Sequence, residues 1–377
     1  MGENLDGSSP PSVFIGRWNY PKVFAGPMVA TEKGDTTVMD SPETWIPQKK
    51  TQEDIISYRM GLVRGKRMNR IDDLDSPLVS TIQEIAMAKT SVESEVKFKK
   101  APRGVSFDPN STTYGPSGDL EMFQIGNIKW DRDLERAHYD TDLLAADAVN
   151  ELHSRGTPFS SIQKAFSTGA LGTGKHRKMV PTRWSITAVD TTIGDNLLDQ
   201  VKHHDLIDTY QVYEFASLHN YYSVILMPTP WQYEWMEAFL KIKGNEEMLF
   251  GDNEPMTGKK GYSTVGGCFY TCRMAVLEEL ARQKKQAGAI ILREAYKGYV
   301  PLGVFNVREN VRNAMVQKPK EFEGLKEALF HVSKRLHLPM KRYVKAGKLL
   351  NEVLHSRQSR LDDFLKSDAV SPEGICS

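Results

Sequence analysis

The order in which helical and strand-like patterns occur is what most restricts this chain. Strands alternating regularly with helices would build a parallel, doubly wound sheet. Here they do not alternate. The first fifty residues carry Pro, Gly and aromatic side chains without a helical period, as in "SPPSVFIGRWNYPKVFAGPM", whereas the last hundred are mostly helical. The pattern predicts an α+β fold: a mixed N-terminal region with short strands and helices, a helix-rich C-terminal region and a flexible C-terminal tail. Pro21 and Pro27 are expected to break any longer ladder near the start, since proline donates no backbone hydrogen bond.

Local signals fill in the elements. Thr51 with Asp54 forms a capping box ahead of "IISYRMGL", and Ser76-Pro77 opens a helix with Leu78, Ile82 and Ile85 on one face. "LEMFQIGNI" reads as a strand. "DTDLLAADAVNELHSRG" is a helix ended by Gly156, Ser160 with Gln163 reads as a second capping box, and "WSITAVDTTIGDNLLDQVKHH" is mostly helical. "DTYQVYEFASLHNYYSVILMP" holds two strands parted near His219 and Asn220. A Gly-rich polar stretch over 243–267 is the expected boundary, dividing the chain into 1–262, a helix-rich 263–355 with one short strand at Ala289 to Leu292, and a tail over 356–377.

Charge and cysteine content narrow the function classes. The net charge of +1 gives no global attraction to nucleic acid, so binding to it must come from local clusters. No apolar run approaches the roughly 18 residues of a membrane span, and the polar, acidic "MGENLDGSSPP" has no signal-peptide character. Three cysteines suit a reducing compartment, and a cytoplasmic protein with no membrane partner is expected.

One segment looks like a phosphate loop. Gly169 to Lys175 spell G-x-x-x-x-G-K, but "SSIQKAFS" before it is a helix signal, His176 stands where a Mg²⁺-binding hydroxyl belongs, and Pro181 leaves no room for the following helix. What remains in the block 169–184 is a glycine turn feeding an uncompensated basic cluster. Lys175, Arg177, Lys178 and Arg183 are candidates for phosphate contacts, and Trp184 for stacking on a base; a plain solvated basic loop competes with this reading. Arg293, Arg308 and Arg312 lie in otherwise apolar stretches and read either as a phosphate clamp or as salt bridges with Glu294 or Glu309.

Other constellations are weaker. Asp140 and Asp142 are weak catalytic candidates for a divalent cation in nuclease chemistry, although acids before a helix commonly serve as caps. Cys268 and Cys272 would need two more ligands to hold zinc, so no zinc site and no resident cofactor are expected. The tail carries a sharper signal. Residues 331–360 hold eight Lys or Arg against one Glu, followed by "QSRLDDFLK". Gln358, Leu361, Phe364 and Leu365 have the Q-x-x-h-x-x-a-h spacing of peptides that bind the DNA sliding clamp, PCNA: one tight turn presents the three apolar side chains as a plug while the Gln358 amide enters a polar pocket.

Along almost its full length the chain resembles the archaeal Nre family of DNA repair proteins. The matching segments are "SPPSVFIGRWNYPKVFAGPM", "DTDLLA", "GALGTGKHRKMVPTRWSITAVD", "GGCFYTCRMAVLEEL", "PLGVFNVRENVR" and the terminal motif. The resemblance implies an archaeal cytoplasmic protein that supports repair of DNA damage and acts with the sliding clamp through Gln358, Leu361, Phe364 and Leu365. It also implies separate N-terminal and C-terminal family regions meeting near the Gly-rich stretch. Many members carry a cysteine-rich, zinc-finger-like segment ahead of "SPPSVF"; this sequence has none there, so zinc is not carried over. The expected function is a DNA repair factor that contacts DNA through local basic patches and is tethered to PCNA. The alternative is a metal-dependent nuclease or a nucleotide-binding enzyme acting on repair intermediates.

Overall fold

The computed structural model describes residues 2–105, 114–242 and 244–355. Its first body is built from β1 (Asn4–Ser9), β2 (Val13–Ile15), β3 (Lys22–Ala30), β4 (Leu62–Arg70), β5 (Val92–Phe98) and β6 (Ser117–Ile125), with α1 (Pro42–Trp45), α2 (Gln52–Gly61) and α3 (Pro77–Met87) between strands. The strand order is β1-β5-β6-β4-β3-β2, and Ser8 of β1 also pairs with Ala30 of β3. Five strands therefore close on themselves, with β2 riding on the edge of β3. Every pairing is antiparallel except β4 with β6. A five-stranded closed Greek-key barrel, with its third and fifth strands parallel and a helix between the third and fourth, has the wiring of an OB-fold.

The sequence closes this barrel through period-two patterning. In "VESEVKF", Val92, Ser94, Val96 and Phe98 are buried and the three charged residues between them are exposed. Val23, Ala25, Val29, Val63 and Leu120 join them inside, and Leu78, Val79, Ile82 and Ile85 of α3 plug the core. Gly26 allows the tight bend of β3, because a Cβ there would run into the Gly65 carbonyl oxygen. Contrary to the expected break, β3 runs through Pro27. The β3–β4 register pairs Ala25 with Arg67 and Met28 with Arg64 and skips residues 26 and 27, so the missing proline N–H falls in a gap of the ladder.

The second body comprises α4 (Arg132–Tyr139), α5 (Ala145–Ser154), α6 (Phe159–Ser167), α7 (Thr182–Val201), β7 (Tyr210–Ser217), β8 (Asn220–Met227), β9 (Tyr233–Leu240), β10 (Glu247–Glu254), α8 (Gly267–Gln283), β11 (Gly288–Ala295), α9 (Phe305–Met315), β12 (Lys320–Phe322), α10 (Leu325–Ser333), α11 (Met340–Ala346) and α12 (Lys348–His355). Its sheet has the order β10-β9-β11-β8-β7-β12, with β11 parallel to β9. Alternate residues face opposite layers. Tyr222, Val224, Leu226, Trp235 and Ile291 pack under α5–α9, whereas Ile225, Met227, Met236, Ile290 and Leu292 pack under α10–α12. The whole is α+β, and among the described residues no helix is long and apolar enough to cross a membrane.

Two local expectations need restating. The Thr51 capping box is present, with Asp54 N–H on Thr51 Oγ1 at 3.1 Å and Thr51 N–H on Asp54 Oδ2 at 2.9 Å. Ser160 does not cap α6: the helix starts one residue earlier behind Pro158, and Ser160 gives both its N–H and its hydroxyl to Glu43. The expected boundary over 243–267 contains a strand, β10, and the sheet takes β7–β9 from before it and β11 and β12 from after it. Spatially, the chain divides instead between the barrel and the layered body, near α4. The barrel docks on the helices of one face: Gln83 donates to the Thr168 carbonyl at 3.0 Å, Met179 N–H to the Ile71 carbonyl at 2.8 Å, and Ile15 N–H to Thr182 Oγ1 at 3.0 Å.

Candidate nucleic-acid interface

That docking decides where the glycine–basic block sits. Gly169 and Gly172 adopt φ of 73° and 106°, and a Cβ on Gly169 would lie 2.9 Å from the Lys178 backbone, so the turn folds tightly back on itself. The helix before it is α6, and α7 starts only at Thr182, behind Pro181. A phosphate loop has neither arrangement.

Within the block the cations divide. Arg177 is committed to its own loop: Nε donates to the Gly172 carbonyl at 2.6 Å, and Nη2 to the carbonyls of His138 at 2.5 Å and Asp140 at 3.4 Å. It ties the turn to the C-terminal end of α4. Lys175, Lys178, Arg183 and Trp184 are exposed, and the three cations make no ion pair among the described residues. Met179 and Thr182, inside this stretch, are bonded to the barrel, which brings Trp184 against the β1–β3 connection. There its ring lies 5.3 Å from that of Tyr20.

The connection itself, "SPPSVFIGRWNYP", carries three further aromatic side chains besides its prolines and glycine. Trp18 is 73% exposed, Tyr20 49% and Trp184 46%. Large aromatic side chains this open lose little by offering their faces to a ligand. Arg17 lies 4.8 Å over the Trp18 ring, and Lys22 begins the adjacent strand. On the neighbouring outer face of β3 and β4, Phe14, Gly16, Trp18, Phe24, Arg64, Lys66 and Ser117 line a pocket of about 180 Å³. Arg64 stands 4.0 Å over Phe14 and 4.4 Å from the Tyr114 ring, and Lys66 5.3 Å over Phe24. Burial pulls the Arg64 guanidinium below its ordinary pKa, yet an arginine stays charged. The acidic side is thin here. Asp119 approaches Lys66 at 3.9 Å, and Asp72 is held by Arg70.

The remaining sequence candidates lie elsewhere. Arg293 is 2% exposed, bonded to Glu237 at 2.7 Å and to Asn220; Arg308 is 3% exposed and bonded to Asp190 at 2.9 Å. Arg312 pairs with Glu278 at 2.7 Å and with Glu309 at 3.0 Å. Of the two readings of these three arginines, the structure places them in buried or half-buried ion pairs, mostly with partners other than the sequence neighbours named above, and not together in a phosphate clamp. Asp140 Oδ1 accepts the N–H groups of Asp142 and Leu143 in the turn before α5, and both aspartates are exposed. Among the described residues no group of three His, Cys, Asp or Glu is placed to hold a metal ion. Burial pushes the Cys268 thiol up to about 12 and Cys272 well above its usual range, so neither is a ready nucleophile. Gln358, Leu361, Phe364 and Leu365 lie outside the described residues.

The barrel-face residues Arg17, Trp18, Tyr20, Arg64 and Lys66 were missed as site candidates. The signal was present in "GRWNYPK" and "VRGKRMNR", where basic residues interleave with aromatics or repeat along a strand. Only the pairing of β3 with β4 puts the two segments together.

In comparison with known proteins, two family regions meet in the Gly-rich stretch rather than between the barrel and the layered body. Residues 1–243 match the family model described as archaeal Nre, N-terminal, and residues 254–364 the one described as archaeal Nre, C-terminal. The chain belongs to the archaeal Nre family. It is 37% identical to a protein of Archaeoglobus fulgidus named DNA repair protein NreB, over 95% of this chain and 91% of that one. It is 34% identical to that organism's DNA repair protein NreA, over 87% and 84% of the two chains. It is 30% identical to DNA repair protein NreA of Haloferax volcanii, over 89% and 84%. No solved structure matches the chain.

Proposed function

We propose that this protein is a DNA repair factor that holds DNA on the barrel face and the adjoining basic block, and is tethered to the sliding clamp PCNA through Gln358, Leu361, Phe364 and Leu365. The repair role follows from the names of its relatives. The observation that carries DNA binding is the set of exposed rings Trp18, Tyr20 and Trp184, the last two in contact, on segments that also carry Arg17, Lys22, Lys178 and Arg183, none of them in an ion pair among the described residues. Cations contact phosphates, and open rings stack on bases. With a net charge of +1, the affinity is local and salt-sensitive.

Fluorescence anisotropy of labelled DNA against the full chain, repeated across salt concentrations, tests the binding. The slope of log K against log salt should flatten by about 0.7–0.9 for each of Lys178→Ala and Arg183→Ala. No binding at low salt would sink the proposal. Calorimetry of the full chain against PCNA tests the tether: Phe364→Ala should abolish the heat, and an unchanged isotherm would remove the motif from the reading.

A further inference from the structure

The pocket beside the strip is built for something narrower than a duplex. Three rings, Phe14, Trp18 and Phe24, form its walls, and two cations, Arg64 and Lys66, reach into it. Arg64 makes no ion pair among the described residues, and its Nε, shielded from solvent, has no hydrogen-bond partner among them. A buried guanidinium N–H with no acceptor, on a charged group held against two rings, is costly unless a ligand supplies one. At about 180 Å³ the volume lies below the roughly 300–1,000 Å³ of pockets for drug-sized ligands. It admits a single ring system and no base pair.

We propose that this pocket takes one unpaired nucleobase, its ring stacked among Phe14, Trp18 and Phe24 and its oxygen and ring-nitrogen acceptors met by Arg64, so that the protein prefers single-stranded to duplex DNA. The inference rests on the DNA-binding reading of the same face. Nucleobases unite both requirements, a flat π-face and in-plane acceptors. An apolar side chain of a protein partner would leave Arg64 unmet, and a free anion would leave the three rings unused. In a duplex both faces of each base are stacked and its pairing edge is taken, so entry demands unpairing at a cost of a few kcal/mol. Tyr20 and Trp184, at one end of the connection that carries Trp18, offer the next base a second platform.

The test is anisotropy of the full chain with a labelled single strand, the matching duplex, and that duplex carrying one unpaired nucleotide. The single strand should bind about tenfold or more tightly than the duplex, with the one-nucleotide bulge between them. Trp18→Ala, at an exposed position where the fold tolerates truncation, should weaken single-strand binding by roughly 5- to 150-fold and so narrow the preference for single strand over duplex. In parallel, a 2-aminopurine placed in the single strand should lose fluorescence on binding, and Phe24→Ala should restore it. Equal affinity for single strand and duplex, both falling with Arg183→Ala, overturns the pocket but keeps DNA binding, as does a Trp18→Ala protein with unchanged single-strand affinity. No binding to any of the three DNAs overturns both.

Discussion

Replacing Arg308 with methionine separates a structural arginine from a phosphate-binding one. Its Nε and Nη2 donate to Asp190 at 2.9–3.2 Å, and the guanidinium carbon lies 3.4 Å from the centre of the Phe159 ring. Asp190 is wholly buried, and its other partner is the Thr271 hydroxyl. Methionine fills the space but leaves a carboxylate in the core with one hydroxyl. Removing one partner of such a pair costs about 3–5 kcal/mol, and a body of this size loses about 2–4 °C of Tm per kcal/mol. A fall of roughly 6–20 °C by calorimetry is therefore expected. Burial already raises the Asp190 carboxyl above its usual range, with Arg308 opposing, so the variant's folded-state pKa rises further. A raised folded pKa gives stability that is present at acid pH and lost as pH increases, so the deficit should shrink on acidification. Arg308→Met combined with Asp190→Asn should recover more than half of the loss, because no charge is then stranded. DNA affinity measured well below Tm should equal that of the parent. An Arg308→Met protein with parental Tm and weakened DNA binding would refute the structural role and restore the phosphate reading.

Other substitutions probe neighbouring features. Burial, beside Glu43 and Glu278 and against Arg312, pushes Glu309 up to about 7. Its stabilising effect is complete below about pH 4.3 and declines as pH rises through its folded value, by about 4 kcal/mol, so Glu309→Gln should flatten the denaturant midpoint across that window. A parallel-shifted but equally sloped profile would count against it. Arg177→Ala removes three carbonyl contacts from the turn; amide exchange over 170–178 should accelerate by about tenfold or more while β8 and β11 stay protected. Gly26→Ala forces β3 away from Gly65 and should cost about 1–3 kcal/mol or more, and a neutral result would contradict the closed barrel.

Helices were legible in the sequence where their signals are local. The Thr51 box, Ser76-Pro77 and Gly156 act within one turn, so α2, α3 and α5 could be placed from neighbouring residues. The β7–β8 hairpin was legible from its two strand-like runs, but the turn falls on Leu218 and His219, both at positive φ, and Asn220, expected in the break, begins β8. Long-range pairings left no such mark. Of the strands missed, β4 reads "LVRGKRMNR", whose charged outer face hides the alternation, and β10 lies in the polar stretch read as a boundary because both its faces are largely open. The core arginines misled for a related reason. A guanidinium with a distant partner such as Asp190 or Glu237 looks unpaired in sequence, since the partner is supplied by a neighbouring helix or strand. Of the site, the half carried by Lys178, Arg183 and Trp184 was legible as an uncompensated cluster. The barrel half needed the β3–β4 register and the docking of α7 before its residues became neighbours.

The proposed tether adds a geometric condition. Gln358 follows His355 by three residues, at most about 10 Å of extended chain, so a clamp engaged there must lie close to the end of α12. Helices α10–α12 cover one face of the central sheet, and the barrel docks on helices of the other. On this proposal, clamp and DNA strip are reached from opposite sides of the layered body. A linker this short cannot swing the clamp round to the strip, so the two contacts cooperate only on DNA long enough to run from one to the other. With clamp loaded on DNA, affinity should rise steeply once the free strand exceeds that path and stay at the clamp-free value for shorter strands. Lengthening the chain between His355 and Gln358 with a flexible Gly-Ser segment should move the threshold to shorter DNA. If affinity instead rises with clamp at every strand length, the two contacts are not held apart by the body, and the motif acts as a loose leash.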